Sequence, residues 1–381
     1  MAGATNHANF SCLCLKFISI LELQKNMSKN KYSDLKFLGF PETLNALRKI
    51  KIMPPVHLRI KPTNICNHDC WYCAYHASGL QLGDQMTYRD VIPFEKLNEV
   101  ANDIVEMGVS AVTFSGGGEP LLYKRLPEII EKLYKGGVKV ATLTNGSNLK
   151  GLMAEAFQKY GTWVRVSLDG YDDDSYAKAR GVKSGEFTNL MNNMRAFKSS
   201  NTNCILGCSF IVGKDNCKHV FNICEKLKGV GVDHVKISGA VVGNSPEENN
   251  LYHGEIKSIV GKQIQMAIKL SDDNFKIVDH YHDLEGRFKK EYTTCPYILY
   301  RPVIGADSCV YTCQDKAYTD SGKLGSIKNQ SFKDYWHCQG NLDAVYGLDP
   351  SKSCNHHCIS HSKNVVISEY LSIDQDHLAF T

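Results

Sequence analysis

Apolar side chains at Phe94, Leu97, Val100, Ala101, Ile104 and Met107 recur at spacings of three and four. That spacing predicts one buried face of a helix opening at Pro93. The same exchange between short apolar runs and helical periodicity continues along the chain. It predicts strands at 56–60, 111–115, 138–143, 163–168, 205–212 and 234–238. Helices are predicted after them at 94–107, 125–134, 149–159, 188–199, 218–228 and 256–270. Strand–helix alternation implies parallel pairing through right-handed crossovers. Six units fall two short of a closed eight-fold barrel. The expected fold class is therefore α/β, a partial (β/α)6 TIM-like barrel with ligand-handling groups at the C-terminal strand ends. Beyond residue 290 the rhythm stops and a small cysteine-rich C-terminal extension begins.

Composition narrows this picture only a little. A chain of 381 residues, 43% hydrophobic, can hold one large domain and a smaller one. A net charge of +4 without a basic tract gives no ground for a nucleic-acid partner. The apolar stretch 17–21 is too short for a bilayer, so no membrane partner is expected. The expected organisation starts with an extension, 1–26, that is disordered or an upstream mis-start ahead of Met27. A lead-in helix (27–52), the barrel (53–290), the cysteine-rich unit (291–362) and a tail (363–381) follow. The fifteen cysteines change the picture more. In a long chain, clustered thiols point to metal ligation rather than to disulfides.

Cys66, Cys70 and Cys73 stand in Cys-Asn-His-Asp-Cys-Trp-Tyr-Cys, on the loop leaving the first strand. All three can reach one small object. Three thiolates leave one iron of a four-iron cluster without a protein ligand. A structural zinc site completed by His68 or His76 is the alternative. The second strand runs into Ser-Gly-Gly-Gly-Glu-Pro at 115–120, where Gly116, Gly117 and Gly118 permit close backbone approach. The C-x3-C-x2-C spacing, Tyr72 before its last thiol, and the glycine motif one β/α unit later resemble the radical S-adenosylmethionine (SAM) superfamily. The resemblance implies a partial barrel and a [4Fe–4S] cluster on Cys66, Cys70 and Cys73, with SAM chelating the open iron. It also implies reductive cleavage of SAM to methionine and a 5′-deoxyadenosyl radical that abstracts hydrogen from substrate. By the same resemblance, the backbone of Gly116, Gly117, Gly118 and Glu119 binds the SAM amino group. Ser167, with Asn145 and Asp169, would contact the ribose, and Arg180 the SAM carboxylate. Read from residues alone, Asn145-Gly and Asp169-Gly are also ordinary turn chemistry, and Arg180 a solvated side chain.

The resemblance extends into the tail. Cys295, a hairpin turn at 305–308, Val310-Tyr-Thr-Cys313, Leu324-Gly-Ser-Ile327, an aromatic helix around Trp336 and the pair Cys354/Cys358 are similar to SPASM/twitch extensions. This implies a second [4Fe–4S] cluster on Cys295, Cys313, Cys354 and Cys358, with Cys309 and Cys338 in reserve. The C-x2-C-x5-C-x3-C run of a full SPASM domain is missing, so one auxiliary cluster is the better fit. Four thiolates also suit zinc. Cys204, Cys208, Cys217 and Cys224 are expected to be buried core thiols. Lys236, Ser238, His280, His282, Asp283, Arg287, Gln314, Asp315 and Lys316 are the polar candidates for handling substrate. The expected function is oxidation or rearrangement of a small hydroxylated molecule, a carbohydrate or nucleotide sugar. A flavodoxin- or ferredoxin-type electron donor and a reducing cytoplasm go with it. Two alternatives stay open: a peptide- or protein-modifying radical SAM enzyme, and a non-catalytic zinc or iron–sulfur protein.

Overall fold

The structure, a computed structural model, describes residues 31–75, 83–281 and 287–380. The extension 1–26, His76, His282 and Asp283 lie outside the described residues. The first seven strands are β1 (His57–Ile60), β2 (Ala111–Phe114), β3 (Lys139–Thr144), β4 (Gly161–Leu168), β5 (Ile205–Val212), β6 (His234–Gly239) and β7 (Lys276–Asp279). Three more follow in the tail: β8 (Val303–Ile304), β9 (Cys309–Tyr311) and β10 (Lys323–Ser326). They form one sheet in the order β10-β9-β8-β1-β2-β3-β4-β5-β6-β7, and β1 to β7 pair in parallel throughout. All six expected strands are present, as the partial barrel requires.

The helices are α1 (Pro41–Arg48), α2 (Phe94–Glu106), α3 (Leu126–Lys135), α4 (Gly151–Tyr160), α5 (Asp173–Arg180), α6 (Glu186–Ser199) and α7 (Val220–Val230). Then come α8 (Pro246–Gly254), α9 (Lys257–Ile268), α10 (Phe332–His337), α11 (Gln339–Gly347), α12 (Pro350–Ser353) and α13 (His361–Ser372). The apolar faces of the barrel helices bury Leu97, Val100 and Ile104 on α2 and Leu126, Ile130 and Leu133 on α3. They meet one face of the sheet, as Val164, Val166 and Leu168 of β4 join the same core. Trp163, Arg165 and Ser167 take the opposite face, because successive strand side chains alternate.

Three elements escape the periodicity. The strand β7 has four residues and none fully buried, so it shows no apolar run. Helix α5 opens with a capping box between Asp172 and Ser175 and buries only Tyr176 and Arg180. Helix α8 opens on Ser245, whose hydroxyl accepts from the Glu248 amide, and buries only Asn249 and His253. Both helices rest on polar caps and lack an apolar stripe.

The tail hairpin continues the barrel sheet. The strand β8 pairs in parallel with β1, then turns through 305–308 into antiparallel β9. The turn expected there is present, with Ser308 in the left-handed region at φ 58°. Helix α10 docks on α2, since the Lys333 amide donates to Asp103 Oδ2 at 3.2 Å. Fully buried Trp336 donates from Nε1 to the Met53 carbonyl at 2.8 Å. Among the described residues no helix is long and apolar enough to cross a membrane.

Candidate functional site

The cysteine loop leaves β1 and is gripped by the end of α5. The Asp69 amide donates to the Arg180 carbonyl at 2.8 Å, and Trp71 donates to Ala179 at 3.4 Å. Gly181 caps α5 at φ 60°, and a Cβ there would meet the Asp69 carbonyl oxygen at 2.8 Å. Cys66, Cys70 and Cys73 are each half-buried. Burial pushes the Cys66 thiol up to about 12, and Cys70 and Cys73 add to the effect. Burial likewise pushes Cys70 up to about 11 against the pull of Arg180.

A tetrahedral zinc ion with Zn–S bonds of about 2.3 Å brings its thiolates to roughly 3.8 Å from one another. Among the described residues, the one His/Cys/Asp/Glu trio with ligand atoms within 4.8 Å is Cys313, Asp315 and His356. Cys66, Cys70 and Cys73 do not form such a trio. His68 packs edge-on against Tyr176 at 6.0 Å, and its buried Nδ1 has no partner. Burial and then Arg180 hold the imidazole down to about 4, so it is neutral.

The glycine motif is built against the cysteine loop. A Cβ on Gly117 would meet Asn64 Oδ1 at 1.9 Å, and one on Gly118 would meet the Ile65 carbonyl oxygen at 2.1 Å. The Gly118 amide donates to Thr63 O at 3.1 Å and the Glu119 amide to Ile65 O at 2.9 Å. The buried Glu119 carboxylate accepts from Leu121 N (3.0 Å), Thr144 Oγ1 (2.6 Å) and Asn145 N (2.7 Å). Its oxygens are thus occupied within the protein. Asn145 donates from Nδ2 to Asn67 Oδ1 at 2.9 Å and accepts from Ser147, tethering the cysteine loop to the end of β3. Gly118→Ala therefore forces backbone against backbone. A loss of about 1–3 kcal/mol is expected, read as a lowered Tm together with reduced iron uptake. An unchanged melt would show that the contact yields freely.

Arg180 is buried rather than solvated, and it sits at the centre of the loop. Its Nε is 2.6 Å from Asp169 Oδ1, and Nη1 donates to the Cys70 sulfur at 3.5 Å. The guanidinium lies against the Tyr72 and Tyr176 rings, and its buried Nη2 has no partner. Burial opposes its charge, but Asp169 and the neighbouring phenols and thiol more than restore it. Asp169 Oδ1 is thereby taken by Arg180 and its carbonyl accepts from Asn216, while its buried Oδ2 has no partner. Ser167 faces the barrel interior in one row with Ser209 and Lys236.

In the tail, Cys295, Cys313, Cys354 and Cys358 line one cavity together with Lys290, Tyr292, His356 and Asn364. The Asn364 amide donates to Cys295 Sγ at 3.3 Å. Burial, with Cys358 and Cys354 alongside, pushes Cys295 up to about 12. Lys290 donates to the carbonyls of Arg287, Phe288 and His356, fixing the Cys354–Cys358 turn. Neither Cys309, its thiol toward Asp307 O at 3.8 Å, nor exposed Cys338 lines this cavity. Cys204, Cys208, Cys217 and Cys224 lie in the apolar core. His280 follows β7, and the Arg287 carbonyl accepts from the Cys358 amide. Asp315 Oδ2 accepts from Ile359 N at 2.9 Å, and Lys316 donates to Ser353 O.

Sequence reasoning missed the residues that join the two cysteine sets. Lys61, fully buried, donates to Tyr75 Oη at 2.5 Å and to the Gly116 carbonyl. Tyr75 in turn donates to Gln314 O at 3.2 Å, beside Cys313. Tyr318 donates to Asn64 Oδ1 at 2.6 Å while its backbone sits at φ 62°. That conformation is costly for a bulky residue and persists only where the surroundings impose it. The available signal was Arg59-Ile60-Lys61, which with His57 places polar residues at alternate positions of β1 and just past its end.

The profile of the Radical SAM superfamily matches residues 60–249. An "S-adenosylmethionine-dependent nucleotide dehydratase" of Lacinutrix mariniflava is 29% identical over 153 residues, 40% of this chain and 30% of that one. A "probable GTP 3′,8-cyclase" of Methanocaldococcus jannaschii is 30% identical over 231 residues, 58% of this chain and 74% of that one. The chain thus spans less than a third of the dehydratase it matches. Among solved structures, Streptococcus suis SuiB bound to S-adenosylmethionine superposes with a TM-score of 0.60 at 17% identity. It covers 90% of this chain and 83% of that one, a likeness of fold alone.

Proposed function

The chain belongs to the radical SAM superfamily, whose members bind a [4Fe–4S] cluster and SAM, and from that premise we propose that Cys66, Cys70 and Cys73 hold the cluster. Bound together, cluster and SAM supply reductive cleavage of the sulfonium to methionine and a 5′-deoxyadenosyl radical, which abstracts hydrogen from substrate. The observation that carries the reading is Arg180 Nη2, a buried donor without a partner, on a guanidinium that touches Cys70. A guanidinium fork so placed suits the SAM carboxylate. Asp169 fixes the fork by holding Nε. Carbonyls of the glycine motif, rather than the Glu119 carboxylate, receive the SAM amino group, and Ser167 offers a hydroxyl to the ribose.

Cys295, Cys313, Cys354 and Cys358 hold a second cluster in the cavity they line. The relatives' names, a nucleotide dehydratase and a GTP cyclase, support a small hydroxylated substrate of nucleotide or sugar type over a peptide. Electrons come from a flavodoxin- or ferredoxin-type donor in the cytoplasm. Arg180→Lys keeps the charge and removes the fork. SAM affinity is expected to fall about tenfold, the equivalent of one charge-assisted hydrogen bond, while iron content holds. Equal affinity in parent and variant would remove Arg180 from the cofactor's site.

A further inference from the structure

The tail holds a second ligand set that the four-thiol reading leaves unused. Among the described residues, the Cys313 thiol, a carboxylate oxygen of Asp315 and a ring nitrogen of His356 all lie within 4.8 Å of one another. Cys313 and His356 line the tail cavity, and Asp315 stands just after Cys313 in the short turn Gln314–Lys316. Asp315 and His356 are buried, at 6% and 8% exposure. Cys313 is half-buried, which leaves an ion a way in.

The set is also held from behind. Asp315 Oδ2 accepts from the Ile359 amide at 2.9 Å, and the His356 carbonyl accepts from Lys290. Lys316 donates to the Ser353 carbonyl, so the segment after β9 and the turn carrying His356 are already tied together. Supporting bonds of this kind orient ligands and raise metal affinity.

The chemistry of the set selects the ion. Zinc, at about 2.3 Å from sulfur and about 2.0–2.2 Å from nitrogen and oxygen, draws such ligands to roughly 3.3–3.8 Å apart. The three are gathered to near that spacing before any ion arrives. One thiolate and one carboxylate carry two negative charges, and imidazole binds as the neutral ring, so a divalent ion is matched in charge. Four thiolates on the same ion would leave two negative charges uncompensated in the cavity. Sulfur and imidazole suit zinc, whereas magnesium and calcium take oxygen ligands.

We propose that the tail binds one zinc ion through Cys313, Asp315 and His356 when the second cluster is absent, leaving the fourth position to water. Cys313 belongs to both sets, so ion and cluster exclude each other. Zinc in the cluster-free tail therefore blocks assembly of the second cluster. The ion site stands on its own ligand atoms and goes beyond the reading of the four thiols.

The test uses full-length Cys295→Ser, anaerobically reconstituted with iron and sulfide. This variant keeps the three zinc ligands and the thiols of the barrel loop, and lacks one thiol of the tail cluster. Zinc is titrated in competition with a chromophoric chelator, and zinc and iron are counted on the same desalted sample. About one zinc per chain is expected. Its dissociation constant should rise at least about a hundredfold when His356→Gln or Asp315→Asn is added, because a direct ligand outweighs a supporting one. Iron on the barrel loop should stay constant and shows that each variant is folded; Asp315→Asn carries the test if His356→Gln is not. The reconstituted parent should take up no zinc, and His356→Gln alone should keep the parent's full iron. No zinc on Cys295→Ser, affinity indifferent to both substitutions, or zinc bound by the parent on top of its full iron would each overturn the proposal. Loss of iron in His356→Gln alone would overturn it as well, by making His356 a cluster ligand. Zinc binding that depends on His356 and Asp315 in a chain that assembles no second cluster would uphold the ion site and reject the cluster reading alone.

Discussion

Cys70→Ser is expected to abolish SAM cleavage. Anaerobically reconstituted protein given SAM and a strong reductant should form 5′-deoxyadenosine, and the variant should form at least about a thousandfold less, since the group that carries the chemistry is gone. Cys70 is the middle thiol of the loop and the one in contact with Arg180. Its replacement therefore removes a proposed iron ligand and the sulfur on which Arg180 rests. Iron per chain should fall by about half, from two cubanes to one. Chromatographic assay of 5′-deoxyadenosine, with iron determined on the same sample, reads both. Cleavage persisting in Cys70→Ser would mean that another set of thiols generates the radical.

The second large effect belongs to the tail. Cys313→Ser combined with Cys358→Ser opens the cavity lined by four cysteines. Iron should again fall by about half, and 5′-deoxyadenosine should still form, because Cys66, Cys70 and Cys73 are untouched. Product should be lost, since the cavity adjoins the interior through Gln314, Tyr75 and Lys61. Zinc instead of iron in the parent tail would contradict a second cluster there, and full iron retention in the double variant would move it elsewhere.

The contrast between these two variants mirrors how the chain could be read. Strands β1 to β6 were legible because each combines an apolar run with a following helix of period 3.6. The first cysteine set stood out by its spacing, and the tail set only through the resemblance to SPASM/twitch extensions; its four thiols line one cavity. Strand β7 and helices α5 and α8 were not, because polar caps and short length define them and no apolar stripe marks them. Arg180, read from residues alone, is a solvated arginine before a glycine. Its burial is created by Asp169, Tyr72 and Cys70, which reach it only in the folded chain. Glu119 entered the sequence reading through its backbone alone, and only the folded chain shows its carboxylate accepting from Leu121, Thr144 and Asn145. The Lys61–Tyr75–Gln314 link spans more than two hundred residues and follows no local period, so tertiary structure alone brings it into view.

Everything rests on an iron at the barrel rim that accepts SAM as its ligand. The most direct measurement is electron paramagnetic resonance of the reduced, reconstituted protein with and without SAM, using the Cys313→Ser/Cys358→Ser variant so that one cluster remains. The account predicts a [4Fe–4S]+ signal whose g-values shift when SAM is added. A spectrum indifferent to SAM, or a protein that takes up zinc and shows no signal, would contradict it.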